Sequence, residues 1–99
     1  MEEKRFFIKI DNDGMAPEFL PGDSVLVDPN REPKAGNYVV AIAMQGNQVL
    51  LWQVAPGEKG DLRMKRFNGK KTVDAKRYKI LGVVTQLQRD VPSPYPATH

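Results

Sequence analysis

Few residues in this chain could do chemistry. There is no cysteine, and the one histidine is His99, the last residue. That excludes a thiolate nucleophile, a disulfide scaffold and a cysteine zinc site, and it leaves no imidazole for a catalytic or metal centre. Ser24, in PGDSV, offers a hydroxyl directly after a Gly-Asp pair. The same serine opens an apolar run, which fits a structural role at a strand start. Lys65 and Arg66, in MKRF, offer cations. Upstream, DNDGMAPEF at residues 11–19 gathers acids, amides and turn formers around Gly14. A glycine has no side chain and cannot attack a carbonyl.

The elements that must position these residues read as strands. RFFIKI (5–10), SVLVD (24–28), YVVAIAM (38–44), QVLLWQV (48–54), LRMKRF (62–67) and YKILGVVTQLQ (78–88) are short, apolar and rich in β-branched or aromatic residues. YVVAIAM and QVLLWQV are apolar enough to be buried on both faces. Gly46-Asn47 is expected to turn the hairpin between them, and Asn68-Gly69 gives a second hairpin signal. Pro17 limits any helical turn begun at Met15-Ala16. No apolar period of 3.6 residues persists, and no helix-turn-helix is visible. The predicted fold is mainly β, with about seven short antiparallel strands and little helix. It forms one domain over 1–91, followed by a Pro-rich tail over 92–99 that is extended or disordered.

Charge is divided along the chain. Residues 1–50 carry five Lys/Arg against eight Asp/Glu, and residues 51–99 carry ten against four, so the halves stand at −3 and +6. The basic part concentrates in RMKRFNGKKTVDAKRYK (63–79), where Lys65, Arg66, Lys70 and Lys71 are candidates for phosphate or partner contact. A solvated hairpin, or a patch that meets the acidic half of a neighbouring subunit, is the plainer reading. No apolar run reaches the roughly 20 residues that a membrane span needs, and no leader-like segment opens the chain. These features fit a cytoplasmic domain without metal or cofactor.

Four segments, in order, carry a resemblance. DGMAPEFLPGDSVLVD, AGNYVVAI, the hairpin into QVLLWQV and the closing YKILGVVTQLQR resemble the C-terminal domains of the LexA and lambda repressors. Those are self-cleaving, Ser-Lys peptidase-like modules related in fold to signal peptidase. The resemblance covers residues 7–89 and implies a site made by the Asp-Ser-Met segment and a lysine on the second hairpin strand. Here Asp13 and Met15 flank Gly14 in the serine position, and Trp52 falls in the lysine position. An indole N–H only donates and cannot take a proton. Asp13, Gly14, Met15, Pro17 and Trp52 would line a vestigial cleft. The indole either lies across the space left by the serine or is simply core. Aligning Lys65-Arg66 with the lysine instead leaves Gly14 without a hydroxyl all the same.

The resemblance implies a non-enzymatic task, namely self-association of a phage or prophage repressor. Dimers or larger assemblies would support cooperative operator binding through a separate N-terminal DNA-binding module absent from this chain, and an antirepressor protein would relieve repression. Ile80, Val83, Thr85 and Leu87 are the expected self-association residues, because both faces of YKILGVVTQLQ are apolar and one could meet a second subunit. The other readings are a Ser-Lys peptidase using Ser24, and a stand-alone peptide- or nucleic-acid-binding module.

Overall fold

The computed structural model describes residues 3–46, 48–57, 61–67, 69 and 71–89. Asn47, Asn68, Lys70 and the tail from 90 onward lie outside the described residues, and so do the expectations placed on them. The chain is mainly β, as expected. Its strands are β1 (Phe6–Lys9), β2 (Ser24–Asp28), β3 (Tyr38–Ala43), β4 (Val49–Pro56), β5 (Leu62–Lys65), β6 (Val73–Asp74) and β7 (Tyr78–Gln88). All the pairings are antiparallel, and the sheet order is β1-β2-β7-β3-β4-β5-β6. A single 3-10 turn, Ala75–Arg77, joins β6 to β7, and the Asp74 carboxylate caps it by accepting from the Lys76 N–H at 2.9 Å.

Each face of the sheet buries its own core. One holds Ile10, Met15, Phe19, Val25, Val27, Val40 and Leu51. The other holds Val39, Ala41, Trp52, Val54, Met64 and Val83, with Val73, Ala75, Tyr78 and Ile80 packed against it. Strands β5 and β7 are separated by β3 and β4 in the sheet, yet Met64 and Val83 share that second core. The sheet therefore curls, and the short link from β6 through the 3-10 turn carries its far edge back to its centre. This is why YVVAIAM reads as apolar throughout: Val39 and Ala41 point into one core and Val40 into the other.

Strand β7 corrects the reading of its faces. It is central, between β2 and β3, and not an edge. It also carries two β-bulges. Val40 pairs with Gly82 but Ala41 with Ile80, which leaves Leu81 as the extra residue. Leu26 pairs with Gln86 but Val27 with Val84, which leaves Thr85 extra. Each bulge shifts the alternation by one. Tyr78, Ile80 and Val83 therefore share one face, although plain alternation separates Val83 from the other two. Gly82 lies where β2 passes close, since a Cβ built there would be 2.9 Å from the Asp28 carbonyl oxygen.

The turn of the β3–β4 hairpin also differs from expectation. Tyr38 pairs with Gln53 and Ile42 with Val49, and the Gly46 N–H donates to the Ala43 carbonyl at 3.1 Å. A turn thus closes over Ala43–Gly46, while Asn47, the second residue of the expected Gly46-Asn47 turn, lies outside the described residues. The positive-φ glycines are Gly22 and Gly36, so Gly46 does not supply the left-handed residue that a type II′ turn needs.

Candidate functional site

The segment between β1 and β2 is a loop pinned at its neck. The Ile10 N–H donates to the Asp23 carbonyl at 2.7 Å, and the Gly22 N–H donates back to the Ile10 carbonyl at 2.8 Å. Within the loop, Ala16 N–H bonds the Asp13 carbonyl and Phe19 N–H bonds the Met15 carbonyl, both at 3.0 Å. Met15 and Phe19 are thereby driven into the core beneath. The Phe19 ring meets Tyr38 edge-on at 4.7 Å.

A buried carboxylate locks the loop to the end of β7. Asp23 is 2% exposed. It accepts from the Leu20 N–H at 2.7 Å and from Arg89 through two bonds, Nε to Oδ1 at 3.0 Å and Nη2 to Oδ2 at 2.8 Å. Arg89 Nη2 also reaches the Glu18 carbonyl at 3.2 Å. The Arg89 hydrogen bonds hold the Asp23 carboxyl below its usual range against the opposing cost of burial. This pair is the physical meaning of the Gly-Asp in PGDSV: the aspartate anchors the loop that carries Gly14.

At the tip, the Gly14 N–H donates to Asn12 Oδ1 at 3.1 Å, closing a tight local turn. The same amide oxygen accepts from Arg66 Nη2. A Cβ built on Gly14 would overlap the Arg66 guanidinium. Arg66 thus occupies the volume that a side chain at position 14 would take. It reaches there from the end of β5. Continuing the register Gln53↔Lys65 by one step sets Arg66 opposite Trp52, and its guanidinium carbon lies 5.8 Å from the indole centroid. Burial lowers the Arg66 pKa, and the carboxylates of Asp13 and Asp11 partly offset this. Among the described residues, Arg66 Nε and Trp52 Nε1 are buried without a partner. The free space beside Asn12, Met15, Leu51 and Arg66 is about 20 Å³, enough for one water at most.

The expected cleft is therefore assembled differently. Gly14 and Met15 are buried, while Asp13 and Pro17 are exposed. Trp52 is 7% exposed, belongs to the second core and packs on Tyr78 with centroids 5.1 Å apart. It does not lie across the space at Gly14; Arg66 stands between them. Sequence reasoning assigned Arg66 to phosphate or partner contact and passed over Asn12. The place of Arg66 follows from the register opposite Trp52, one step past the end of β5.

The remaining candidates are dispersed. Lys65 and Lys71 are exposed, and Lys70 lies outside the described residues. Ser24 begins β2 opposite Lys9, and no side-chain hydrogen bond joins the two. Ile80 is half-buried against the second core, and Val83 is 3% exposed within it, so Val83 presents no surface to a second subunit. Thr85 Oγ donates to the Leu26 carbonyl at 3.4 Å, and Leu87 is exposed. A groove of about 840 Å³ lies elsewhere, lined by Met44, Arg63, Asp74, Arg77 and Tyr78. Among the described residues there is no acidic, histidine or cysteine cluster for a metal, and no helix long and apolar enough to cross a membrane.

Gly14→Ser is expected to displace Arg66 without breaking the fold. Only the flexible tip of Arg66 blocks the added atoms. Losing its charge-assisted bond and its place over the indole costs about 2 kcal/mol, and the stiffer unfolded chain returns about 0.4–1 kcal/mol. Trp52 is the single tryptophan, so its fluorescence reports the loss of the cation. A spectrum identical to the parent would show that Arg66 is not held there.

A curled antiparallel sheet, with a pinned β1–β2 loop facing the second strand of a hairpin, defines a peptidase-like β domain. The sequence matches the Peptidase S24-like family over residues 1–85, and the chain belongs to that family. No curated protein matches it.

Proposed function

We propose that this chain is the self-association domain of a phage- or prophage-type repressor, one that keeps the peptidase fold without self-cleavage. The observation that carries this reading is the filled site. Gly14 stands in the nucleophile position, and a guanidinium occupies the volume a nucleophilic side chain would need. The position of the base is the buried indole of Trp52, which cannot accept a proton. A site of this kind does not attack a carbonyl.

What the fold retains is the capacity to hold copies together. Linking two DNA-reading modules turns the second binding event into an intramolecular one and raises its effective concentration. Operator affinity then rises without any new contact to DNA. Relief of repression falls to another agent, such as an antirepressor protein. The test is sedimentation equilibrium of the chain over a wide concentration range, with prolonged incubation at alkaline pH alongside. Reversible dimers or larger species and an intact chain are expected. A strict monomer would sink the association, and a specific internal cut would sink the loss of cleavage.

A further inference from the structure

The basic stretch has a concave part. Residues of β5, β6 and the 3-10 turn meet the end of β3 around the groove of about 840 Å³. Met44, Arg63, Thr72, Asp74, Arg77 and Tyr78 line it, whereas Gly14 and Arg66 do not. The groove follows from the path of the chain. The 3-10 turn leads into β7, where Tyr78 pairs with Ala43 and the Arg77 carbonyl accepts the Met44 N–H at 3.2 Å. The tip of the β3–β4 hairpin is thereby brought to the same groove as β6.

Two guanidiniums line this groove. Arg63 is tethered, for its Nε donates to Thr72 Oγ1 and its Nη2 to the Thr72 carbonyl, both at 3.0 Å. These bonds set the plane of the guanidinium in advance and leave the Nη1 donors for a ligand. Asp74 lies opposite Arg63 across the β5–β6 pair, but its Oδ1 accepts the Lys76 N–H at the turn. Arg77 is exposed. The ion pairs among the described residues are Arg31–Asp28, Lys76–Asp61 and Arg89–Asp23, and neither groove arginine takes part. From residue 61 to 79, eight Lys/Arg stand against two acids, Asp61 and Asp74. The groove therefore holds positive charge that the described residues do not neutralise. Apolar surface lies beside it. Met44 is 69% exposed, and its unbranched side chain can adapt to a partner's shape.

We propose that this groove binds an extended acidic peptide of a partner protein. Its carboxylates would meet Arg63 and Arg77, and an apolar side chain between them would rest on Met44 and Tyr78. Charge complementarity selects the acidic class, because a planar guanidinium held by one edge presents the other to a carboxylate. The apolar lining selects a peptide over a nucleic acid. Phosphate gains nothing from an exposed methionine. A base needs an open aromatic face for stacking, and the Tyr78 ring is half-buried and already packs on Trp52 at 5.1 Å. This binding concerns a different activity from self-association and does not depend on it.

The test is fluorescence anisotropy of the whole chain with a labelled, glycine-flanked peptide that carries two glutamates on each side of a leucine. Saturable binding is expected at about 50 mM salt, weakened at least about tenfold at about 500 mM and lost when glutamines replace the glutamates. Arg77 and Met44 are exposed, so their substitution spares the fold. Arg77→Gln should weaken binding about tenfold and Met44→Ala about fivefold. Lys34→Gln removes the same charge beyond the other end of β3 and should stay within about twofold of the parent. Equal losses from Arg77→Gln and Lys34→Gln would reveal unspecific attraction and overturn the groove, and so would a Met44→Ala variant that binds as the parent does. A labelled single-stranded DNA that binds more tightly than the peptide, and depends on Arg77 in the same way, would replace the peptide by nucleic acid. No saturation by the peptide up to about 1 mM, an affinity of about −4 kcal/mol, would overturn the proposal outright. None of these outcomes bears on the sedimentation result.

Discussion

Trp52→Lys should lower stability by about 4 kcal/mol or more. This substitution would return a basic residue to the position where the family resemblance places one. Yet Trp52 is packed among Val39, Ala41, Val54, Met64 and Val83, against the Tyr78 ring. Truncating a buried tryptophan costs about 3–5 kcal/mol by lost burial and the cavity left behind. The ammonium adds the cost of desolvation, and it would lie beside the Arg66 guanidinium, a like charge. In a domain of this size, that drop corresponds to a fall in melting midpoint on the order of 20 °C. Thermal unfolding followed by circular dichroism measures it directly. A midpoint within a few degrees of the parent would mean that the indole is not the core residue described. The double variant Gly14→Ser, Trp52→Lys is likewise expected to stay uncut, because position 52 lies in the second core and does not face position 14.

Asp23→Ala should be the second severe change, at about 3 kcal/mol. It leaves Leu20 N–H and two Arg89 N–H groups without their acceptor and frees the loop bearing Gly14 from β7. The same group sets an acid dependence. Its carboxyl is held below the usual range in the folded state, so the folded form binds its proton less readily than the unfolded chain does. The stabilisation is therefore complete above the unfolded carboxylate range, near pH 4, and is lost as pH falls through the depressed value. Chemical denaturation at pH 7 and at successively lower pH should show parent and variant converging in acid. A gap that stays constant down to about pH 2 would exclude the ion pair as its source.

Much of this architecture is legible in the sequence, and the exceptions have causes. The main strands show because their apolar and β-branched runs are bounded by Pro, Gly and Asn. β6 does not show, since Val73-Asp74 is too short to carry a pattern. The faces of β7 are misread because Leu81 and Thr85 are bulged, and nothing in KILGVVTQ marks where a strand gains a residue. At the site, Gly14 and Trp52 are visible as residue types in the wrong place for chemistry. Arg66 is not, because a cation in a run of cations reads as surface. Only the register opposite Trp52 reveals that its side chain turns inward. The buried role of Asp23 likewise depends on Arg89, which lies 66 positions away in the chain.

The place of β7 in the sheet has a consequence for how the chain acquires its shape. β2 and β3 make no ladder with each other; each bonds to β7. During synthesis the β1–β2 pair and the β3–β4–β5 meander emerge first, and no ladder can join them into one sheet until Tyr78–Gln88 has cleared the ribosome. Of the described strands, the last made is the one inserted in the middle. Folding must therefore wait for contacts distant in the chain, which places this domain among slow, late-committing topologies. A nascent chain halted before residue 78 would hold two β fragments with no ladder between them.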